Sequence, residues 1–158
     1  MTASKLGLYR DLAAQLAALL AGETDRLANA ANIAALIYHG LTDLDWAGFY
    51  FRQGADLVLG PFQGKPACVR IPLGKGVCGI AAARVGTVLV PDVHDFPAHI
   101  ACDPASRSEL VVPLIETGEV SGVLDLDSPV VGRFEEIDQA GCERLVALFV
   151  DHHHRDPG

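Results

Sequence analysis

Over residues 6–20 the apolar positions Leu8, Leu12, Leu16, Leu19 and Leu20 recur at helical spacing, and Gly22 supplies a stop. A second helical stretch, about 25–38, closes at His39-Gly40, and its alanines suit close packing of two helices. The pattern then shortens to that of strands. Residues 46–51 are aromatic-rich and end at the turn signal Gln53-Gly54, so 56–62 reads as the returning strand of a hairpin. A third short strand at 67–71, a short helix at about 77–84 and a strand at 87–90 follow. Residues 93–107 form a polar, proline-containing loop that carries His94, His99 and Cys102, and long loops within a compact domain tend to be functional. Stretches 108–114 and 120–127 flank a turn at Thr117-Gly118, and a closing helix at about 134–152 places Ile137, Leu145, Val146, Leu148 and Phe149 on its apolar side. This order predicts one domain over residues 1–158, with helices at about 6–39, a sheet core at about 45–127 and the final helix. Its class is α+β, a mainly antiparallel sheet with helices packed on one face.

Composition narrows the function classes. The 158 residues are 50% hydrophobic and 20% charged, which fits a globular domain able to build its own core. No stretch approaches the roughly 18 apolar residues of a membrane span. Residues 1–9 lack a basic segment followed by an apolar run, so a cytoplasmic protein is expected. The formal net charge of −8, without lysine or arginine clusters, argues against a nucleic-acid partner.

Part of that acidity converges. Strand side chains alternate, so Asp125 and Asp127 share one face, while Glu109, Val111 and Pro113 share a face of the partner strand. With an odd-length loop centred on Gly118, Asp127 lies opposite Glu109 and Asp125 opposite Val111. Like charges so placed destabilise a sheet and raise carboxyl pKa values. Such a cluster serves a cation, a metal or a proton donor. A different register would instead make it a solvated outer face.

Four cysteines, Cys68, Cys78, Cys102 and Cys142, do not read as a structural disulfide framework in a cytosolic chain. Cys102, in an exposed loop, is a candidate nucleophile. Cys68 begins or precedes a strand. Cys78 stands at the start of the short helix, where the helix dipole favours a thiolate. A two-cysteine redox cycle and a zinc site are both open at this point. Zinc favours tight spacings such as C-x2-C, whereas these cysteines are ten and twenty-four residues apart and only His99 and Cys102 form a local pair. Metal is therefore the weaker reading. Cys142, among Ala140, Leu145 and Val146, reads as a buried apolar side chain. Gly74-Lys75-Gly76-Val77-Cys78-Gly79 matches G-x-G-x-x-G, but the strands do not alternate with helices as in a dinucleotide-binding fold, so it reads as a loop positioning Cys78.

Several segments together resemble a known family. They are Trp46-Ala47-Gly48-Phe49-Tyr50, Leu59-Gly60-Pro61-Phe62-Gln63-Gly64-Lys65, the glycine loop 74–79, Pro91-Asp92-Val93 and His99-Ile100-Ala101-Cys102-Asp103. Ser108-Glu109-Leu110-Val111-Val112-Pro113 and Gly122-Val123-Leu124-Asp125-Leu126-Asp127-Ser128-Pro129 complete the set, which spans about residues 8–150. The pattern is similar to that of the free methionine-(R)-sulfoxide reductases, stand-alone GAF domains with a PAS-related fold. The resemblance implies Cys102 as the catalytic cysteine, Cys68 as its resolving partner and Cys78 as the alternative. It also implies that Glu109, Asp125 and Asp127 line the substrate pocket, with Trp46 and Tyr50 as its aromatic wall.

The implied reaction is thiolate attack on free L-methionine-(R)-sulfoxide, giving a sulfenic acid that a second thiol closes to a disulfide. No bound cofactor or metal is implied; a dithiol such as thioredoxin would be the reductant, and a homodimer is allowed for. The leaving oxygen needs a proton, for which Asp127 is the expected donor, with Glu109 and Asp125 on the substrate ammonium. Cys142 and the tail His152-His153-His154 match nothing in the family pattern, and the tail reads as a frayed helix end. Two competing readings are a sensory GAF domain that binds a small ligand without chemistry, and a redox switch built on a Cys68–Cys102 disulfide.

Overall fold

The structure is a computed structural model that describes residues 4–97 and 105–154. Helix α1 (Lys5–Leu20) begins at Ser4, whose hydroxyl accepts from the Gly7 N–H at 3.1 Å. Helix α2 (Arg26–Gly40) is capped by Asp25, which accepts from the Ala28 N–H at 2.8 Å. Both caps satisfy backbone donors that the first helical turn leaves unpaired. The remaining elements are β1 (Trp46–Gln53), β2 (Asp56–Gly64), β3 (Arg70–Pro72), α3 (Gly76–Arg84), β4 (Val88–Val90), β5 (Ser108–Glu116), β6 (Glu119–Ser128) and α4 (Glu136–His154). Among the described residues the strands form one antiparallel sheet in the order β3-β2-β1-β6-β5-β4.

The sheet separates two cores. On one face α1, α2 and α4 bury Leu12, Leu16, Ile33, Ile37 and Phe149 against Phe49, Leu110, Leu124 and Leu126. This is the helix-covered face that the sequence pattern predicts. The short, alanine-rich α3 lies on the opposite face, over Tyr50, Leu57, Ile71, Val111 and Val123. Strand β1 explains why both faces need cover: its first five residues, Trp46 through Tyr50, are all buried, so neither side can be left to water.

The β5–β6 hairpin has the expected register, Glu109 opposite Asp127 and Val111 opposite Asp125. Its turn differs from the odd-length loop assumed from sequence. Glu116 pairs with Glu119 across a two-residue turn, Thr117 and Gly118, with φ of 51° and 82°. Those left-handed values suit the twist of a tight hairpin. An irregularity between Leu114 and Ile115 then adds one residue to β6, because Leu114 pairs with Gly122 but Ile115 with Val120. An even turn and a one-residue bulge together restore the odd count.

The histidine tail is not frayed. Helix α4 runs through His154, with His152 Nε2 2.6 Å from the Glu23 carbonyl oxygen and His153 Nε2 3.1 Å from Asn29 Nδ2. The His153 ring also packs edge-on to Phe149, 4.8 Å between centroids. These tertiary partners outweigh the terminal fraying that a polar run suggests by itself. Cys142 is fully buried in the helix-side core, 3.9 Å from the Tyr9 hydroxyl, as its apolar neighbours predict.

Candidate active site

The sheet face beneath α3 carries the candidate chemistry. Register places Trp46, Asp127 and Glu109 side by side on β1, β6 and β5, and Gly48, Asp125 and Val111 in the adjoining row. The side chains of Trp46, Glu109, Asp125 and Asp127, with Tyr50 and Cys78, line a pocket that is partly open to solvent. The structure therefore brings together seven sequence-predicted site residues from four elements and the loop beside them: Trp46, Tyr50, Cys68, Cys78, Glu109, Asp125 and Asp127. Cys102 and His99 lie outside the described residues.

Trp46 stacks on Tyr50 and on Phe62, with ring centroids 5.8 and 5.2 Å apart. Gly48 makes room for this wall, since a Cβ there would sit 2.3 Å from the Phe62 Cβ and 2.9 Å from the Trp46 ring. The two aromatic residues do more than line the pocket. Trp46 Nε1 donates to the Lys65 carbonyl at 3.1 Å, and the Tyr50 hydroxyl donates to the Cys68 carbonyl at 2.9 Å. Each holds the connection between β2 and β3 from below. Cys68 itself is in a disulfide, whereas Cys78 and Cys142 are free thiols.

The electrostatics are those of negative charge confined with little water. Glu109 and Asp125 are only 6% and 5% exposed, and Asp125 Oδ1 has no hydrogen-bond partner among the described residues. Burial pushes the Asp125 carboxyl well above the usual carboxylate range, and the charges of Asp127 and Glu109 push it further. Asp127, partly exposed at the mouth, is raised for the same reasons, burial first and then Glu109. The two aspartates hold their protons together rather than independently.

Cys78 departs from expectation. Its position at the N-terminus of α3 suggested a stabilised thiolate. Instead, burial raises its thiol well above the ordinary range, and Asp125 and Glu109 raise it further. The thiol lies 3.9 Å from Glu109 Oε2. A helix dipole of about half a charge is outweighed by complete burial beside carboxylates. Sequence reasoning did not select Lys65 or Ser106, which also line the pocket. Ser106 is held by Asp45, its hydroxyl donating to the carboxylate at 3.1 Å. Neither residue carries a periodic signal, because both lie in loops.

Comparison with known proteins supplies the family. Residues 10–151 match the GAF domain. The chain is 55% identical over 144 residues to the free methionine-R-sulfoxide reductase of Escherichia coli, covering 91% of this chain and 87% of that protein. It is 44% identical over 135 residues to the enzyme of the same name from Saccharomyces cerevisiae, covering 80% and 75% of the two chains. A crystal structure of free methionine-R-sulfoxide reductase from Neisseria meningitidis, in complex with its substrate, superposes with a TM-score of 0.93 at 43% identity, over 98% of this chain and 95% of that one. With this fold and this carboxylate pocket, the chain belongs to the free methionine-R-sulfoxide reductase family of GAF domains.

Proposed function

We propose that this chain reduces free L-methionine-(R)-sulfoxide to methionine in the cytoplasm, with Cys102 as the attacking sulfur. The observation that carries the proposal is the carboxylate trio of buried Glu109 and Asp125 with half-buried Asp127, set against the Trp46–Tyr50 wall. A thiolate does not displace oxide from sulfur unaided; the departing oxygen must be protonated. Asp127, raised in pKa and open to the pocket mouth, keeps a proton available for it. Attack by the Cys102 thiolate and proton delivery release methionine and leave Cys102 as a sulfenic acid.

Cys68 then attacks that sulfenic sulfur, water leaves, and a Cys68–Cys102 disulfide forms. An external dithiol such as thioredoxin returns both thiols by exchange. Cys68 is favoured as the resolving residue because it is already engaged in a disulfide. The buried, proton-retaining Cys78 thiol suits that role less well.

Glu109 and Asp125 hold the substrate ammonium, and Trp46 packs on the methyl end. An ammonium group neutralises a buried negative pair that a peptide-bound residue would leave uncompensated. The test is methionine release, with a thioredoxin system, from the free R epimer, the free S epimer and the N-acetylated R form. Turnover confined to the free R form is expected. Equal turnover of the N-acetylated substrate would remove the ammonium assignment, and inertness of all three would favour a ligand-binding sensor.

A second prediction concerns the Tyr50 hydroxyl. Tyr50→Phe keeps the aromatic wall but removes the bond to the Cys68 carbonyl. A neutral hydrogen bond of about 0.5–1.5 kcal/mol corresponds to a roughly 2–10-fold slower disulfide closure. The first-turnover release of methionine should be preserved. Rapid-quench measurement of both steps checks this, and an unchanged closure rate would show that Tyr50 does not position Cys68.

A further inference from the structure

The pocket contains a set of ligand atoms that the proposed reductase cycle does not use as such. Cys78 Sγ and one carboxylate oxygen each from Glu109 and Asp125 lie within 4.8 Å of one another. All three residues are buried. One observation independent of that clustering points to a bound cation: Asp125 Oδ1, on a side chain 5% exposed, has no hydrogen-bond partner among the described residues. We infer that Cys78, Glu109 and Asp125 form a binding site for one divalent cation of the zinc class.

The geometry sets the requirement. Tetrahedral zinc, with bonds of about 2.0–2.3 Å, places its ligand atoms about 3.3–3.7 Å apart. The Cys78 Sγ to Glu109 Oε2 separation is 3.9 Å and every pair lies within 4.8 Å, so closure onto an ion draws the ligand atoms together by about 1 Å through side-chain rotation. One sulfur with two carboxylate oxygens selects a borderline metal. Magnesium and calcium favour oxygen alone and bind a thiol poorly. Three protein ligands leave a fourth position open toward the pocket.

Sequence spacing conceals this site. The ligands stand at positions 78, 109 and 125, on α3, β5 and β6, and no local C-x2-C signature marks them. Binding replaces ligand protons with the metal: Cys78–SH gives a Cys78–S–metal bond and a proton to solvent, and any proton held on the Asp125 carboxyl is released in the same way. The ion then occupies the place assigned above to the substrate ammonium. Zinc and free methionine sulfoxide are mutually exclusive if that assignment holds; the metal site itself does not depend on it.

The test is cobalt titration of the whole oxidised chain, in which Cys68 is in its disulfide and Cys78 and Cys142 are the free thiols among the described residues. Expected are one cobalt per chain and a near-ultraviolet sulfur-to-cobalt absorption band. The band is retained in Cys142→Ser and lost in Cys78→Ser. Asp125→Asn weakens binding by more than about tenfold, the least that loss of a direct ligand should cost. X-ray absorption of the zinc-loaded wild-type chain, which needs no variant, should show one sulfur among oxygen or nitrogen neighbours. An all-oxygen-or-nitrogen shell, or a cobalt band that persists in Cys78→Ser, would overturn the site. If free methionine sulfoxide fails to displace a metal so bound, the ammonium assignment fails while the metal site stands.

Discussion

Cys102→Ser should abolish steady-state methionine formation, by at least about 10³-fold, the scale on which loss of a nucleophile registers. A serine hydroxyl is not ionised near neutral pH and is a far weaker nucleophile toward sulfur than a thiolate. Cys68→Ser should fail differently: it should release methionine once per chain and then stall with Cys102 oxidised. Chemical quench of the two variants against wild type separates them. A burst in Cys68→Ser with none in Cys102→Ser assigns attack and resolution to the two residues in that order. The reverse pattern would exchange the roles, and undiminished turnover in Cys102→Ser would place the attacking thiol elsewhere. The same experiment judges the competing functions. A sensory domain releases no methionine in any variant, and a redox switch forms its disulfide with peroxide alone.

Much of this site is legible in strand alternation. Asp125, Asp127 and Glu109 fall on one sheet face because side chains alternate, and the register depends only on the residue count between the strands. The bulge near Leu114 and the two-residue turn at Thr117-Gly118 sum to that count, so the pairing is predicted although the local geometry is not. What is not legible is set by tertiary contacts. The alanine-rich α3 carries no marker of which sheet face it covers. The Cys78 environment depends on carboxylates 31 and 47 residues away, at Glu109 and Asp125, which no helix-terminus argument contains. The order of the histidine tail depends on Glu23 and Asn29 at the far end of the chain.

Asp127→Asn should lower turnover by about 10²–10⁴-fold, the usual contribution of general acid catalysis, whereas Cys142→Ser, on the opposite core, should leave it near wild type. Near-wild-type rates in both would remove the acid assignment. The same cluster makes a separate demand on stability. The folded state holds the Asp125 and Asp127 protons above the ordinary range, so it binds more protons than the unfolded chain. Stability attributable to these groups is therefore fully present below the unfolded aspartate value of about 3.9 and is lost as pH rises through the folded-state pKa.

Asp125→Asn removes one of these ionisable groups and keeps its shape. It should melt higher than wild type near pH 8, by about 2–4 °C for each kcal/mol of relieved burial and repulsion, and the advantage should vanish near pH 4. Asp138, lowered by Lys5, the Glu135 N–H and Tyr9 against the opposing effect of burial, and Glu116, lowered by Arg26 against the same effect, contribute with the opposite sign. They are common to both proteins and cancel in the difference. Thermal melts of the two reduced proteins across that range decide the matter. A variant equal to or less stable than wild type at every pH would mean that the carboxylates repel one another too weakly to hold a proton for the chemistry. A variant stabilised at high pH but defective in substrate binding would show that the fold gives up stability to keep an anionic pocket for a cationic ligand.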